Sequence, residues 1–235
     1  MILTSFLRRG NLWMILLFAI LSWHCFSIKP YQAAAAGWEP DIQKLEALDK
    51  TQQDPADGIL FIGSSSIRLW KTIDEDVAPY PAIQRGYGGA KFSDLVVYAR
   101  RIIEPHQYRA MAVFVANDIT GSKDDKTPAE VLKMWQYIVK VSQKHQPEAP
   151  VFFIEITPTN SRWKVWPQIQ QTNKLIRAYC ESHKNLYFIP TASQYLGSDG
   201  KPRAALFIQD QLHQNRDGYL IWGRLIREAF DQHLK

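Results

Sequence analysis

Five short apolar runs, at 59–62, 82–85, 110–115, 151–156 and 186–189, alternate with stretches of helical periodicity. No other feature of the chain constrains its fold as much. The third and fourth runs, Ala-Met-Ala-Val-Phe-Val and Val-Phe-Phe-Ile-Glu-Ile, are almost continuously apolar, as suits parallel strands covered on both faces. Between the runs, Phe92, Leu95, Val96, Ala99 and Ile103 form one apolar helical face, and Val131, Met134, Trp135 and Ile138 form another. Thr127-Pro-Ala-Glu130 supplies an N-cap, a proline at the first helical position and a glutamate that reaches back. Asn215 is placed to cap a last helix with Tyr219, Trp222, Ile226 and Phe230 along one side. Further helices are expected over 41–50 and 167–182. Right-handed crossovers between successive strands then predict an α/β fold of three layers, α/β/α. Its centre is a flavodoxin-like five-stranded parallel sheet with helices on both faces.

The chain has 235 residues, enough for one domain of moderate size. Its start is of another character. Arg8 and Arg9 form a positive flank, residues 12–28 are mostly apolar, and Ala33 to Ala36 offer small-residue cleavage sites. The apolar stretch is short for a span of about 20 residues and includes His24. Residues 1–36 are expected to be a signal peptide, or an N-terminal membrane anchor if they are retained. Residues 37–235 form the working domain, exported to a periplasmic, extracellular or cell-surface location. The net charge of +5 is no nucleic-acid signal. Arg8, Arg9 and Lys29 carry three of those charges, and no run of Lys or Arg makes a phosphate-binding stripe. Cys25 falls in the N-terminal segment, which leaves Cys180 as a core residue on the inner face of a helix. A disulfide or a cysteine-rich metal site is not expected.

Polar residues follow the strands. The first run stops at Gly63-Ser-Ser-Ser66, where a strand hands over to a helix through a tight turn. A hydroxyl there would stand on a rigid edge beside free backbone N–H groups, a good place for a nucleophile. Gly86-Tyr-Gly-Gly89 follows the second run and Asn117-Asp118 the third, and Asp210-Gln-Leu-His213 lies in the long segment 190–214 after the fifth, which is expected to be loop. Sites on such sheets gather beyond the carboxyl ends of the strands, so all four are expected on one rim. An acyl-transfer site needs a nucleophile, a base, an orienter for the base and oxyanion donors. Of the six histidines, His213 is the best base, because Asp210 could hold its ring. His106, His145, His183, His24 and His233 lie in connecting loops, near helix ends, in the N-terminal segment or in the tail. Ser-rich turns and Asp–His pairs three apart also occur as plain surface features.

Four blocks in order resemble the SGNH (GDSL-type) hydrolases, a family of serine esterases and lipases, from about Trp38 to the C-terminus. Phe61-Ile-Gly-Ser-Ser-Ser-Ile-Arg-Leu-Trp70 resembles the nucleophile block, with Gly63-Ser64-Ser65 at its Gly-Asp-Ser core. Arg85-Gly-Tyr-Gly-Gly-Ala90, Val115-Ala-Asn-Asp-Ile119 and Asp210-Gln-Leu-His213 resemble the other three. The resemblance implies Ser65 as nucleophile, His213 and Asp210 as its partners, and an oxyanion hole formed by Ser65, Gly89 and Asn117. It implies no metal and no organic cofactor. Two positions depart from the pattern: Ser64 replaces the aspartate, and Val115 replaces a glycine two places before Asn117. Thr157-Pro-Thr-Asn-Ser-Arg-Trp163 is similar to a loop of one branch of the family, so Arg162 and Trp163 are candidates for the substrate rim. Asp118 is expected to support the Asn117 turn. The expected substrate is a small-molecule, glycan or lipid ester. The rivals are a non-catalytic carbohydrate-binding module on the same scaffold, and a membrane-anchored lipid acylhydrolase.

Overall fold

The computed structural model describes residues 26–234. Helices α1 (Lys29–Ala35) and α2 (Glu39–Asp49) precede the first strand, β1 (Ile59–Gly63). Two short helices, α3 (Ser65–Leu69) and α4 (Ile73–Asp76), lead to β2 (Ala82–Gly86). Then α5 (Phe92–Ile103) leads to β3 (Ala110–Phe114), α6 (Pro128–His145) to β4 (Val151–Ile154), and α7 (Trp166–Glu181) to β5 (Leu186–Ile189). Helices α8 (Ala192–Tyr195) and α9 (Arg216–His233) follow. All strand pairs are parallel, in the order β2-β1-β3-β4-β5. This is the expected flavodoxin-like sheet in a three-layer α/β/α fold.

Strand alternation sends neighbouring residues to opposite cores. Leu60, Ile62, Met111 and Val113 meet the inward faces of α5, α6 and α7. Ile59, Phe61, Ala110 and Ala112 meet Trp70 and the α9 stripe of Tyr219, Trp222, Ile226 and Phe230. The chain moves one way across the sheet from β1 to β2 and the other way thereafter. Crossovers of one hand therefore put α3 and α4 on one face and α5 to α7 on the other. The carboxyl ends of β1 and β3 flank the point of reversal, where such sheets open a crevice.

Three local outcomes differ from the sequence reading. Strand β4 stops at Ile154 because the Asn173 side chain of α7 takes both backbone groups of Ile156: Oδ1 accepts its N–H at 3.1 Å and Nδ2 donates to its carbonyl at 3.0 Å. The segment 190–214, expected as loop, contains α8. Half-buried Glu155 caps the start of that helix by accepting the N–H groups of Thr191 and Ala192, both at 2.7 Å. Residues 1–25, with Arg8, Arg9, His24 and Cys25, lie outside the described residues. The alanine run does not: Ala33 to Ala35 end α1, Ala35 is fully buried, and its carbonyl accepts the Tyr98 hydroxyl of α5 at 2.9 Å. No helix among the described residues is long and apolar enough to cross a membrane. Cys180 packs in the core as expected, its thiol pushed up to about 12 chiefly by burial.

Candidate active site

The serine turn is shaped by close approach of two strands. Gly63 has φ +136°, and a Cβ there would lie 1.9 Å from the Phe114 carbonyl oxygen. That oxygen accepts the Ser64 N–H at 3.0 Å, so β1 and β3 meet at the turn. Ser65 then begins α3, with the Ser64 carbonyl accepting the N–H of Ile67 and of Arg68. The Tyr219 hydroxyl donates to the Ser66 carbonyl at 2.9 Å and ties the turn to α9.

The loop before α9 brings up the histidine. Its two ends are clasped by Ile208 N–H to the His213 carbonyl and Asn215 N–H to the Leu206 carbonyl. Gln211, at φ +54°, bends the chain back so that Asp210 can reach His213 three residues on. One Asp210 oxygen accepts the N–H of Leu212 and of His213, each at 2.9 Å. The other lies 2.6 Å from His213 Nδ1. Partial burial pushes the Asp210 carboxyl upward, but these hydrogen bonds outweigh it and hold the group below the usual carboxylate range. His213 Nε2 lies 2.8 Å from Ser65 Oγ. A hydroxyl, an imidazole and a carboxylate, 148 and three residues apart in sequence, thus stand in one line.

Asn117 lines the cleft with the three serines, whereas Gly89 is not among the lining residues. Gly89 has φ +68°, and a Cβ there would press to 2.9 Å on the Trp38 ring. Trp38 is itself fixed, because its Nε1 donates to the Asp94 carboxylate at 3.0 Å. Asn117 Nδ2 donates to the Ala90 carbonyl at 2.9 Å, which joins the Asn117 loop to the glycine loop. Asp118 adds a second tie, accepting the N–H of Phe92 at 2.6 Å and of Ser93 at 3.2 Å. It thereby satisfies two of the orphan donors that open α5. Burial pushes the Asp118 carboxyl up to about 6 against the pull of those two bonds. Val115 is fully buried in the core with α5 and α6, so its larger side chain points away from the cleft.

The cleft is lined by the three serines, Asn117, Thr157, Thr159, Arg162, Leu212, His213 and Gln214, with Phe114 and Ala116. Arg162 donates to the Ala116 carbonyl and, through a short contact, to Asn117 Oδ1. Trp163 is not among the lining residues; it stacks on Trp166 at 6.1 Å instead. Of the two rim candidates, only Arg162 reaches the cleft. Sequence reasoning passed over Trp38, which reads as the first residue of a generic soluble segment. It also left Thr157 and Thr159 unassigned within a loop it had singled out.

The sheet order β2-β1-β3-β4-β5 with a cleft at its carboxyl edge is that of a doubly wound, flavodoxin-like α/β protein. The model of the GDSL-like lipase/acylhydrolase family matches residues 65–221, and the chain belongs to that family of esterases and acylhydrolases. No curated protein matches the chain. Among solved structures, a GDSL-like lipase from Bacteroides thetaiotaomicron superposes with a TM-score of 0.68 at 15% identity, over 81% of this chain and 97% of its own. A lipase/acylhydrolase from Enterococcus faecalis gives 0.58 at 17% identity, over 75% and 96%. A carbohydrate esterase family 3 protein from Talaromyces cellulolyticus gives 0.59 at 11% identity, over 75% and 97%. At such identities the likeness is one of fold.

Proposed function

We propose that this protein is an exported serine esterase that removes short acyl groups from a polar alcohol. Ser65 acts as nucleophile, His213 as base, Asp210 as its orienter, and Ser65, Gly89 and Asn117 as oxyanion donors. The observation that carries the reading is the hydrogen-bonded line from Ser65 Oγ through His213 to Asp210. With its proton on Nδ1, facing Asp210, His213 keeps an Nε2 lone pair for Ser65. Ser65 Oγ attacks the ester carbonyl carbon and its proton passes to Nε2. The carboxylate of Asp210 stabilises the imidazolium. The oxyanion is met by the N–H groups of Ser65 and Gly89 and by the Asn117 amide. Collapse expels the alcohol, which takes the proton from His213. Water, deprotonated by His213, then releases the acid and regenerates Ser65.

The size and polarity of the cleft support a short acyl group. Its enclosed space is ≈ 20 Å³, too little to bury a long hydrocarbon tail. Thr157 Oγ1 and Gln214 Oε1 are buried in its wall with no protein partner, a poor lining for a hydrocarbon tail. The solved structures of similar fold include carbohydrate and acetyl esterases. Export is supported by the positive flank of Arg8 and Arg9 before the mostly apolar residues 12–28.

A panel of p-nitrophenyl esters of rising chain length, with acetylated sugars alongside, tests the reading. Acetyl and propionyl esters are expected to be hydrolysed fastest. Ser65→Ala is expected to abolish both turnover and labelling by a fluorophosphonate, while Ser64→Ala and Ser66→Ala remain labelled. Labelling that survives Ser65→Ala would remove the nucleophile assignment, and a preference for long acyl chains would remove the short-acyl one.

A further inference from the structure

The guanidinium of Arg162 is a cation in the cleft wall whose role the hydrolytic scheme above leaves unassigned. Among the described residues it has no carboxylate within ion-pair distance. Both of its donating contacts go to oxygens of consecutive residues in the loop after β3. One is the Ala116 carbonyl, at 2.7 Å, and the other is Asn117 Oδ1. A guanidinium can only donate, and its two parallel N–H groups suit two acceptors side by side. The contact therefore decides which end of the Asn117 amide is which. Oδ1 faces Arg162, and Nδ2 faces the Ala90 carbonyl with one N–H still unspent. A half-turn about the Asn117 amide would present an oxygen, rather than an N–H, to the developing oxyanion. Burial lowers the guanidinium from its ordinary range, and Asp125 and Asp118 pull it back.

We infer that Arg162 is a positioning residue that acts through Asn117: it locks the amide so that its free N–H serves the oxyanion hole. The inference rests on the proposed role of Asn117. It differs from a substrate-rim role, in which Arg162 would touch the ester itself. The Arg162 turn and the Asn117 loop come from the ends of two adjacent strands, β4 and β3, so the lock is a tertiary contact. Arginine serves this lock better than lysine, because a single ammonium does not present the same planar pair of donors.

A double-mutant cycle on a short-chain ester tests the inference. Asn117→Ala is expected to lower kcat about 100- to 1,000-fold. Arg162→Met is expected to lower kcat about 10- to 100-fold with KM nearly unchanged, the cost of a misplaced catalytic group. In the Asn117→Ala background the same Arg162→Met change is expected to cost less than about threefold, since its target is gone. Arg162→Lys is expected to recover part of kcat, and it carries the same cycle if Arg162→Met does not fold. Equal losses from Arg162 substitution in both backgrounds, or a loss expressed in KM, would overturn the lock and assign Arg162 to substrate contact. An Asn117→Ala enzyme with full kcat would overturn the oxyanion role and the lock together. A full Asn117→Ala loss beside an unimpaired Arg162→Met enzyme would overturn the lock alone.

Discussion

Gly63 shows how much of the site hangs on single positions. It combines a left-handed φ of +136° with a would-be Cβ 1.9 Å from the Phe114 carbonyl oxygen. Alanine would therefore meet backbone strain and a backbone clash at once. Gly63→Ala is expected to destabilise the domain by at least about 3 kcal/mol in urea unfolding and to displace Ser65 from His213. Gly200 has φ +72° but no atom within 4 Å of its would-be Cβ, so Gly200→Ala serves as the control and is expected to cost only about 1–2 kcal/mol. A Gly63→Ala protein as stable as the Gly200→Ala one would show that β1 and β3 can part without cost. The choice of Ser65 from three adjacent serines came from family resemblance alone. In the structure Ser64 and Ser66 are tied through their backbone groups, and only Ser65 Oγ meets an imidazole. Trp163 read as a rim residue because aromatic side chains look alike in sequence whether they face a ligand or a neighbouring tryptophan.

At the scale of elements, α1 is the unexpected participant. It covers α5, with Ala35 fully buried and Tyr31 and Ile28 packed against the same core. The turn that follows it delivers Trp38 to the Gly89 loop. A chain beginning at residue 37 is thus expected to be less stable than one beginning at residue 26. The loss is about 3 kcal/mol from exposed apolar surface, a Tm drop of roughly 6–12 °C by calorimetry. Its esterase activity should fall too, because Trp38 would sit on an unsupported end. Equal Tm values for the two chains would mean that α1 adds no stability to the domain. Helix periodicity made α5, α6 and α9 legible, since their apolar faces repeat over three or more turns. Helix α1 was not legible, because Lys29 to Ala35 carries no such stripe and resembles the flank of an export signal.

The whole molecule answers to pH through a buried carboxyl other than that of Asp210. Asp118 is nearly inaccessible, and its carboxyl titrates at about 6 in the fold against 3.8 when free. Below both values it is protonated, folded or unfolded, and costs nothing. As pH rises from 4 to 7 the unfolded chain gives up the proton first, so folding loses stability over that window. Relative to Asp118→Asn, the wild-type domain is expected to lose roughly 2 kcal/mol between pH 4 and pH 7. Urea unfolding of both proteins across that range measures it, and parallel curves would refute it. The layering of this molecule was readable one segment at a time, because strand and helix periods are local properties and crossover handedness leaves few ways to assemble them. Local pattern also marked the turns that carry the polar residues. It carried no distances, and so could not say that residue 213 would come within 2.8 Å of residue 65. Nor could it say that Arg162 would grip Asn117 while Trp163 turned aside, or that a helix in the supposed leader would join the core. Those outcomes depend on contacts between segments tens of residues apart, which exist only once the chain has packed.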